Sequence, residues 1–170
     1  MTTIQNILKN IVPGQASQGY GYIFKALNDF YKSISKEITI TYVKKEAGGT
    51  TVYYELPSSD RTKIYTIVIW FDSITRVSSG TAVKIYSDSP NFAYTFAYTF
   101  NNTKDLLYSD KYPQQFINIP PKKRNPSGSK GFDKHVYSCL KLATKHDLAT
   151  LASKFETMQE PIVPRFISQK

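Results

Sequence analysis

The nine residues from Phe92 to Phe100 constrain the fold more than any other part of the chain. They read Phe-Ala-Tyr-Thr-Phe-Ala-Tyr-Thr-Phe, with a ring at every second position and only Ala93, Thr95, Ala97 and Thr99 between. Side chains alternate between faces along a strand, so this spacing predicts a strand with five rings on one face and small residues on the other. Five exposed rings would make a large apolar patch, so the ring face is expected to be core beneath a helix. The alternative is an open sheet that stacks bases or sugar rings. Such sheets usually set basic residues among their rings, and no charge falls between Phe92 and Phe100.

Strand signals also fill the stretch before this segment. Ile38, Ile40 and Tyr42 alternate with Thr39 and Thr41, and Ala47-Gly48-Gly49 offers a hairpin turn. Val52, Tyr54 and Leu56 continue the alternation as far as the turn signal Pro57-Ser58-Ser59-Asp60. Lys63 to Phe71 is apolar on both faces, the pattern of a central strand covered on both sides. Thr81 to Tyr86 follows, then a predicted turn at Ser87-Asp88-Ser89-Pro90-Asn91. Connections this short favour pairing of sequential strands.

Helical spacing appears twice. Ile23, Phe24, Leu27, Phe30, Tyr31 and Ile34 form an amphipathic stripe within Tyr22 to Ile34. Phe132 to Phe155 is the second helical region, and Thr144 with Asp147 predicts a capping box, hence two helices meeting near Lys145. The predicted fold is α+β: a five-stranded antiparallel meander flanked by an N-terminal helix and a C-terminal helical region, with extended termini. The expected boundaries are an arm or short helix at 1–19, one domain at 20–157, and an extended tail at 158–170.

Charge is uneven along the 170 residues. Between Lys111 and Lys145 eight Lys/Arg face a single acid, Asp133, which accounts for +7 of the total +9. Such a segment favours an anionic partner or is a solvated basic face. Its centre, Pro120 to Gly131, holds Lys122, Lys123, Arg124 and Lys130, with glycines that let backbone N–H groups turn toward an anion. With Lys134, these are the candidate contacts to nucleic acid or another anion. The loop lacks the spacing of a P-loop. The single cysteine, Cys139, excludes an internal disulfide and fits a reducing compartment. The apolar run Ile7 to Val12 stops at Pro13-Gly14, far short of a membrane span, so no membrane partner is expected and the chain reads as soluble and made in a cytoplasm.

Catalytic and metal patterns are weak. His135, Cys139 and His146 would share a face of one continuous helix, but 135 and 146 would lie about 16 Å apart, too far for one ion. Asp72 and Asp88 each follow a predicted strand, and strand-end carboxylates can share a metal in nucleases. Against this, Ala82 stands two positions before Lys84, where a restriction-type nuclease needs an acid. No catalytic residue, cofactor, metal or small-molecule substrate is assigned.

Val83-Lys-Ile-Tyr-Ser-Asp-Ser-Pro-Asn-Phe92 running into the aromatic segment, then Lys111-Tyr-Pro113 and Pro120-Pro-Lys-Lys-Arg-Asn-Pro126, resembles small structural proteins of tailed bacteriophages. The resemblance covers roughly the second half of the chain. It implies a non-enzymatic virion or assembly component, held by contacts with other virion proteins or its own copies, and is compatible with a place near packaged DNA. It implies a location in the host cytoplasm during synthesis and in the virion afterwards. Phe166 and Ile167 in the tail are then expected as partner contacts. A nucleic-acid-binding module using the 111–145 segment is the alternative, and a metal-dependent nuclease the third reading.

Overall fold

Alternation between Thr39 and Ser87 is realised as one antiparallel sheet in the order β1-β2-β3-β4. The computed structural model describes residues 2–8, 20–121 and 133–166. The strands are β1 (Thr39–Glu46), β2 (Gly49–Pro57), β3 (Ile64–Phe71) and β4 (Val83–Ser87). Ala47 at φ 52° and Gly48 at φ 78° form the tight turn between β1 and β2, closed by the pair Glu46↔Gly49. Two successive residues at positive φ match the twist of the flanking strands, as primed hairpin turns do. β3 is central, with Ile67, Val68, Ile69 and Phe71 all fully buried.

The described helices are α1 (Ile4–Leu8), α2 (Tyr20–Ile34), α3 (Pro90–Thr95), α4 (Ala97–Asn102), α5 (Gln114–Asn118), α6 (Lys134–Ala143) and α7 (Leu148–Lys154). α2 packs on α6, and α7 packs on β1. The predicted division near Lys145 is present, but its cap differs. Thr144 is the C-cap of α6, while Asp147 caps α7 by accepting from Thr150 N–H at 3.1 Å.

The fifth strand does not form; the aromatic segment is helical, as α3 and α4. A four-residue repeat satisfies period two, but it also returns to the same face of a helix at i, i+4 and i+8. Phe92, Phe96 and Phe100 are buried on that face, whereas Tyr94 and Tyr98 are only half-buried. Ser89 is the N-cap and Pro90 opens the helix, so the residues read as a turn are a helix start. Phe96, at φ −120° and ψ −19°, separates the two helices. The place beside β4 is also taken. Ile85 N–H donates to Asp105 O at 2.9 Å, Leu107 N–H donates to Ile85 O at 2.8 Å, and Thr3 bridges Ala82.

The described parts of both ends dock on the chain's own domain. Val83 N–H donates to Thr2 O at 2.9 Å, Ile4 N–H to Thr81 O at 3.0 Å, and Ile7 is buried. At the other end, residues 159–166 form neither helix nor strand and cross one face of the sheet. Tyr42, Tyr53, Val68 and Tyr86 are paired across the four strands and share that face. Glu160 accepts from Tyr53 Oη at 2.5 Å and pairs with Lys44 Nζ at 2.7 Å. Tyr86 donates its hydroxyl to Pro164 O. Phe166 N–H then donates to Lys111 O at 2.9 Å. One continuous core therefore runs from Ile4 to Phe166. Among the described residues no helix is long and apolar enough to cross a membrane.

Candidate functional site: a polar cleft at the amino end of α6

The turn between β2 and β3, the start of α3 and the first turn of α6 enclose a cleft of about 560 Å³. That volume lies within the range of small-molecule sites, roughly 300–1,000 Å³. One wall is the turn from Ser58 to Lys63. Asp60 Oδ1 gathers it by accepting from Ser58 Oγ at 2.7 Å, Thr62 N–H at 3.0 Å and Thr62 Oγ1 at 2.6 Å. These bonds, the Thr62 hydroxyl foremost, hold the Asp60 carboxyl down at about 2. Arg61, at φ 61°, turns outward to pair with Glu37 at 2.6 Å.

The opposite wall is built on Asp133. It is buried, and as N-cap of α6 its Oδ1 accepts from Val136 N–H at 2.9 Å. Its Oδ2 accepts from Ser89 Oγ at 2.9 Å, which ties the cap of α3 to the cap of α6. Behind it stands His135, 5% exposed, with the edge-to-face rings of Phe30 and Tyr65 at 5.1 and 4.9 Å. His135 Nδ1 lies 3.7 Å from Asp133 Oδ2, beyond hydrogen-bond reach, and neither ring nitrogen has a hydrogen-bond partner among the described residues. Lys134 lines the cleft, its Nζ 4.8 Å from the centre of the Phe30 ring.

Of the predicted anion contacts, Lys134 is the one at this cleft, and His135, weighed in the sequence as a metal ligand, lines it as well. Lys122, Lys123, Arg124, Lys130 and Ile167 lie outside the described residues. Further along the basic segment, Lys141 donates to Asn28 Oδ1 at 2.5 Å, and Lys141 and Lys145 both lie over the Tyr31 ring. These lysines are turned toward α2. Phe166, expected as a partner contact, is 5% exposed here, stacked on Tyr112 and edge-on to Phe116 at 5.2 Å. Its ring anchors the tail to the chain's own core.

The paired-carboxylate arrangement is also overturned. β3 and β4 are antiparallel, so Asp72 follows one end of the sheet while Asp88 bonds Thr66 N–H at 2.8 Å near the other. Six residues of strand separate Thr66 from Asp72, about 20 Å, and the two cannot share an ion. Cys139 is fully buried, which pushes its thiol well above the usual range and removes it as a nucleophile. Among the described residues no three His, Cys, Asp or Glu side chains come together as metal ligands.

Asp88 has a measurable consequence for stability. Burial, opposed by the bond from Thr66, raises its carboxyl from 3.8 to about 6. The folded chain therefore binds this proton more tightly than the unfolded one. The cost of the ionised form is fully present above pH 6 and disappears as pH falls toward 4. Asp88→Asn keeps an oxygen for Thr66 and removes the charge. It should stabilise the protein by about 1–2 kcal/mol at pH 8 and by almost nothing below pH 4, a partly exposed group being discounted. Urea denaturation at the two pH values checks this, and an equal gain at both would show that the charge is not the cause.

Sequence reasoning missed Asp133, Ser89, Lys63 and Asp60 as members of one site. Asp133 carried a usable signal, since an acid directly before the stripe Val136, Cys139, Leu140 and Ala143 is a helix N-cap pattern. The others come from separate segments that only folding brings together. No protein-family model matches the chain, and no curated protein or solved structure matches it either.

Proposed function

We propose that this protein is a non-enzymatic structural or assembly component, of the kind found in tailed-phage particles, that works through protein–protein contacts. The observation that carries the reading is Ile162, which is 90% exposed on a segment fixed at both sides. Glu160 is pinned by Lys44 and Tyr53, and Val163 and Phe166 are buried. An exposed isoleucine on a loose end means little, whereas one held out between anchors is a ready-made contact. Its partners in this reading are other subunits of an assembly, including copies of the chain, met in the host cytoplasm and retained in the virion. No catalytic residue, cofactor or substrate enters it.

Sedimentation velocity across a concentration series tests the self-association arm. Ile162→Asp, at a position without burial to lose, should weaken association by about tenfold or more with unchanged thermal stability. A chain that stays monomeric at every concentration, with or without the substitution, overturns that arm.

Nucleic-acid contact through the 111–145 segment is the second reading, favoured by its eight basic residues against one acid. Binding to DNA should then weaken steeply with salt, by a logarithmic slope of about −0.9 per phosphate neutralised. Binding that is absent at low salt removes this reading.

A further inference from the structure

We propose that the sheet face beneath residues 159–166 is a docking groove, and that two copies of the chain exchange these segments so that each tail seats on the other's sheet. The exchange rests on the assembly reading and names its partner, a second copy bound through Glu160, Val163 and Phe166.

The groove reads the tail at three points. At the near end Lys44 Nζ lies 2.7 Å from Glu160, and Tyr53 donates its hydroxyl to the same carboxylate. These bonds, that from Lys44 foremost, hold the Glu160 carboxyl below its ordinary range. In the middle Tyr86 donates its hydroxyl to Pro164 O, and Val163 is buried. At the far end the Phe166 ring packs among Tyr94, Tyr112 and Phe116. There Phe166 N–H donates to Lys111 O and Arg165 Nη1 to Asp110 O, both at 2.9 Å. A charged pair at one end, an aromatic anchor at the other and main-chain bonds along the way are the features of a peptide site. None of these contacts depends on tail and sheet belonging to one chain.

The tail is loosely joined to its own domain. α7 ends at Lys154 with Phe155 as its C-cap, and a turn bond runs from Met158 N–H to Phe155 O at 3.0 Å. Residues 159–166 form neither helix nor strand, so the tail can lift without breaking a helix or a ladder of its own. Straightened, residues 155–159 would give Glu160 a reach of about 17 Å, more than the roughly 10 Å between packed layers. Pro161 and Pro164 restrict the released tail, which lowers the entropy lost when it seats again. A lifted tail would uncover Tyr53, Val68 and Tyr86, and a second tail of the same sequence covers them with the same bonds.

Closure on its own sheet also leaves apolar surface unburied. Met158 is 51% exposed and Ile162 stands clear of the domain. One lies on the connection and the other on the tail, where two bodies meet when their tails cross. Exchange gives both side chains a cover that the closed chain lacks.

Paired charge reversals in the full chain test this by sedimentation velocity. Lys44→Glu sets a like charge against Glu160, and Glu160→Lys sets one against Lys44. Each variant is mismatched in its closed form and in any pair with itself. In a mixture of the two, exchange brings each tail to a groove of opposite charge. The mixture should form a 1:1 heterodimer at least about 100-fold tighter than either variant's self-association, like-charge contact being removed from two grooves at once. The double variant Lys44→Glu/Glu160→Lys, matched within one chain, should return to wild-type thermal stability. Adding Phe166→Ala to the Glu160→Lys copy should weaken the heterodimer about tenfold or more. No weakening would mean attraction by charge alone and would overturn the seated tail. Where a single variant is unfolded by itself, the thermal transition regained on mixing is the readout, and no regain overturns exchange. A mixture that associates no better than its components also overturns exchange, and wild-type association weakened by Ile162→Asp would then leave the assembly reading standing. A heterodimer formed although Ile162→Asp leaves wild-type association unchanged would support exchange and overturn Ile162 as the contact.

Discussion

Alanine in place of Phe92, Phe96 or Phe100 should cost about 3–5 kcal/mol each, and alanine in place of Tyr98 less than about 1.5 kcal/mol. The three phenylalanines stand at i, i+4 and i+8 along α3 and α4 and are buried, two of them fully. The Phe92 and Phe100 rings lie 5.5 Å apart, and Phe96 lies 6.2 Å from Phe92. Removing one ring opens a cavity lined by the others, and a close-packed interior refills such a space only in part. Against a typical domain stability of about 5–15 kcal/mol, each loss is a large fraction of the whole. Tyr98 is half-buried, so its truncation removes less enclosed surface. Tyr94 should fall between, because its ring meets Phe116 at 4.6 Å and Phe166 at 6.1 Å. Urea denaturation of the five single variants gives the pattern directly. Costs high at 92, 96 and 100 and lower at 94 and 98 are the signature of the helical arrangement. Five similar costs would instead mean that all the rings share one buried face, as they would on a strand.

That pattern explains where the sequence was legible. β1, β2, β3 and β4 were visible because β-branched and aromatic residues alternate there and turn formers bound them. α2, α6 and α7 were visible because their apolar spacing has no reading other than three and four. The segment 92–100 has two readings, since a repeat of four residues fits both periods. Local evidence at its start, Ser89-Pro90, favoured a helix, and the neighbours of β4 exclude a strand there. Those neighbours come from residues 2–3 and 105–107, which no local pattern connects to β4. The cleft was hidden for the same reason. Lys63, Ser89 and His135 lie far apart in sequence, and His135 on a helix reads as an ordinary core or surface residue until folding sets it in the wall of the cleft. The seat of the tail was hidden in the same way. Phe166 among prolines resembles a stray anchor, but its pocket is assembled from Tyr94, Tyr112 and Phe116.

Gly48 and Gly49 should respond to alanine in different ways, although the sequence presents them as one turn signal. Gly48→Ala should cost about 1 kcal/mol. Its backbone sits at φ 78°, which disfavours any Cβ, but an added Cβ would meet nothing within 4 Å. Gly49 is a strand residue, buried, and without a positive φ. A Cβ there would come within 2.1 Å of Phe71 O and within 2.9 Å of two atoms of the Trp70 ring. Neither neighbour can step aside cheaply. Phe71 is held in the ladder between Thr50 and Val83, and Trp70 is fixed by its Nε1–H bond to Glu46 O at 2.9 Å. β2 and β3 would have to part at this end, so Gly49→Ala should cost about 3 kcal/mol or more, the upper range for overpacking. Thermal denaturation of the two variants should therefore show a clear gap. Tryptophan fluorescence should shift for Gly49→Ala alone, because Trp70 is displaced only when the Cβ is at 49. A mild Gly49→Ala with unchanged fluorescence would mean that the β2–β3 ladder can open beside Trp70. The close approach of the two strands would then be incidental to stability.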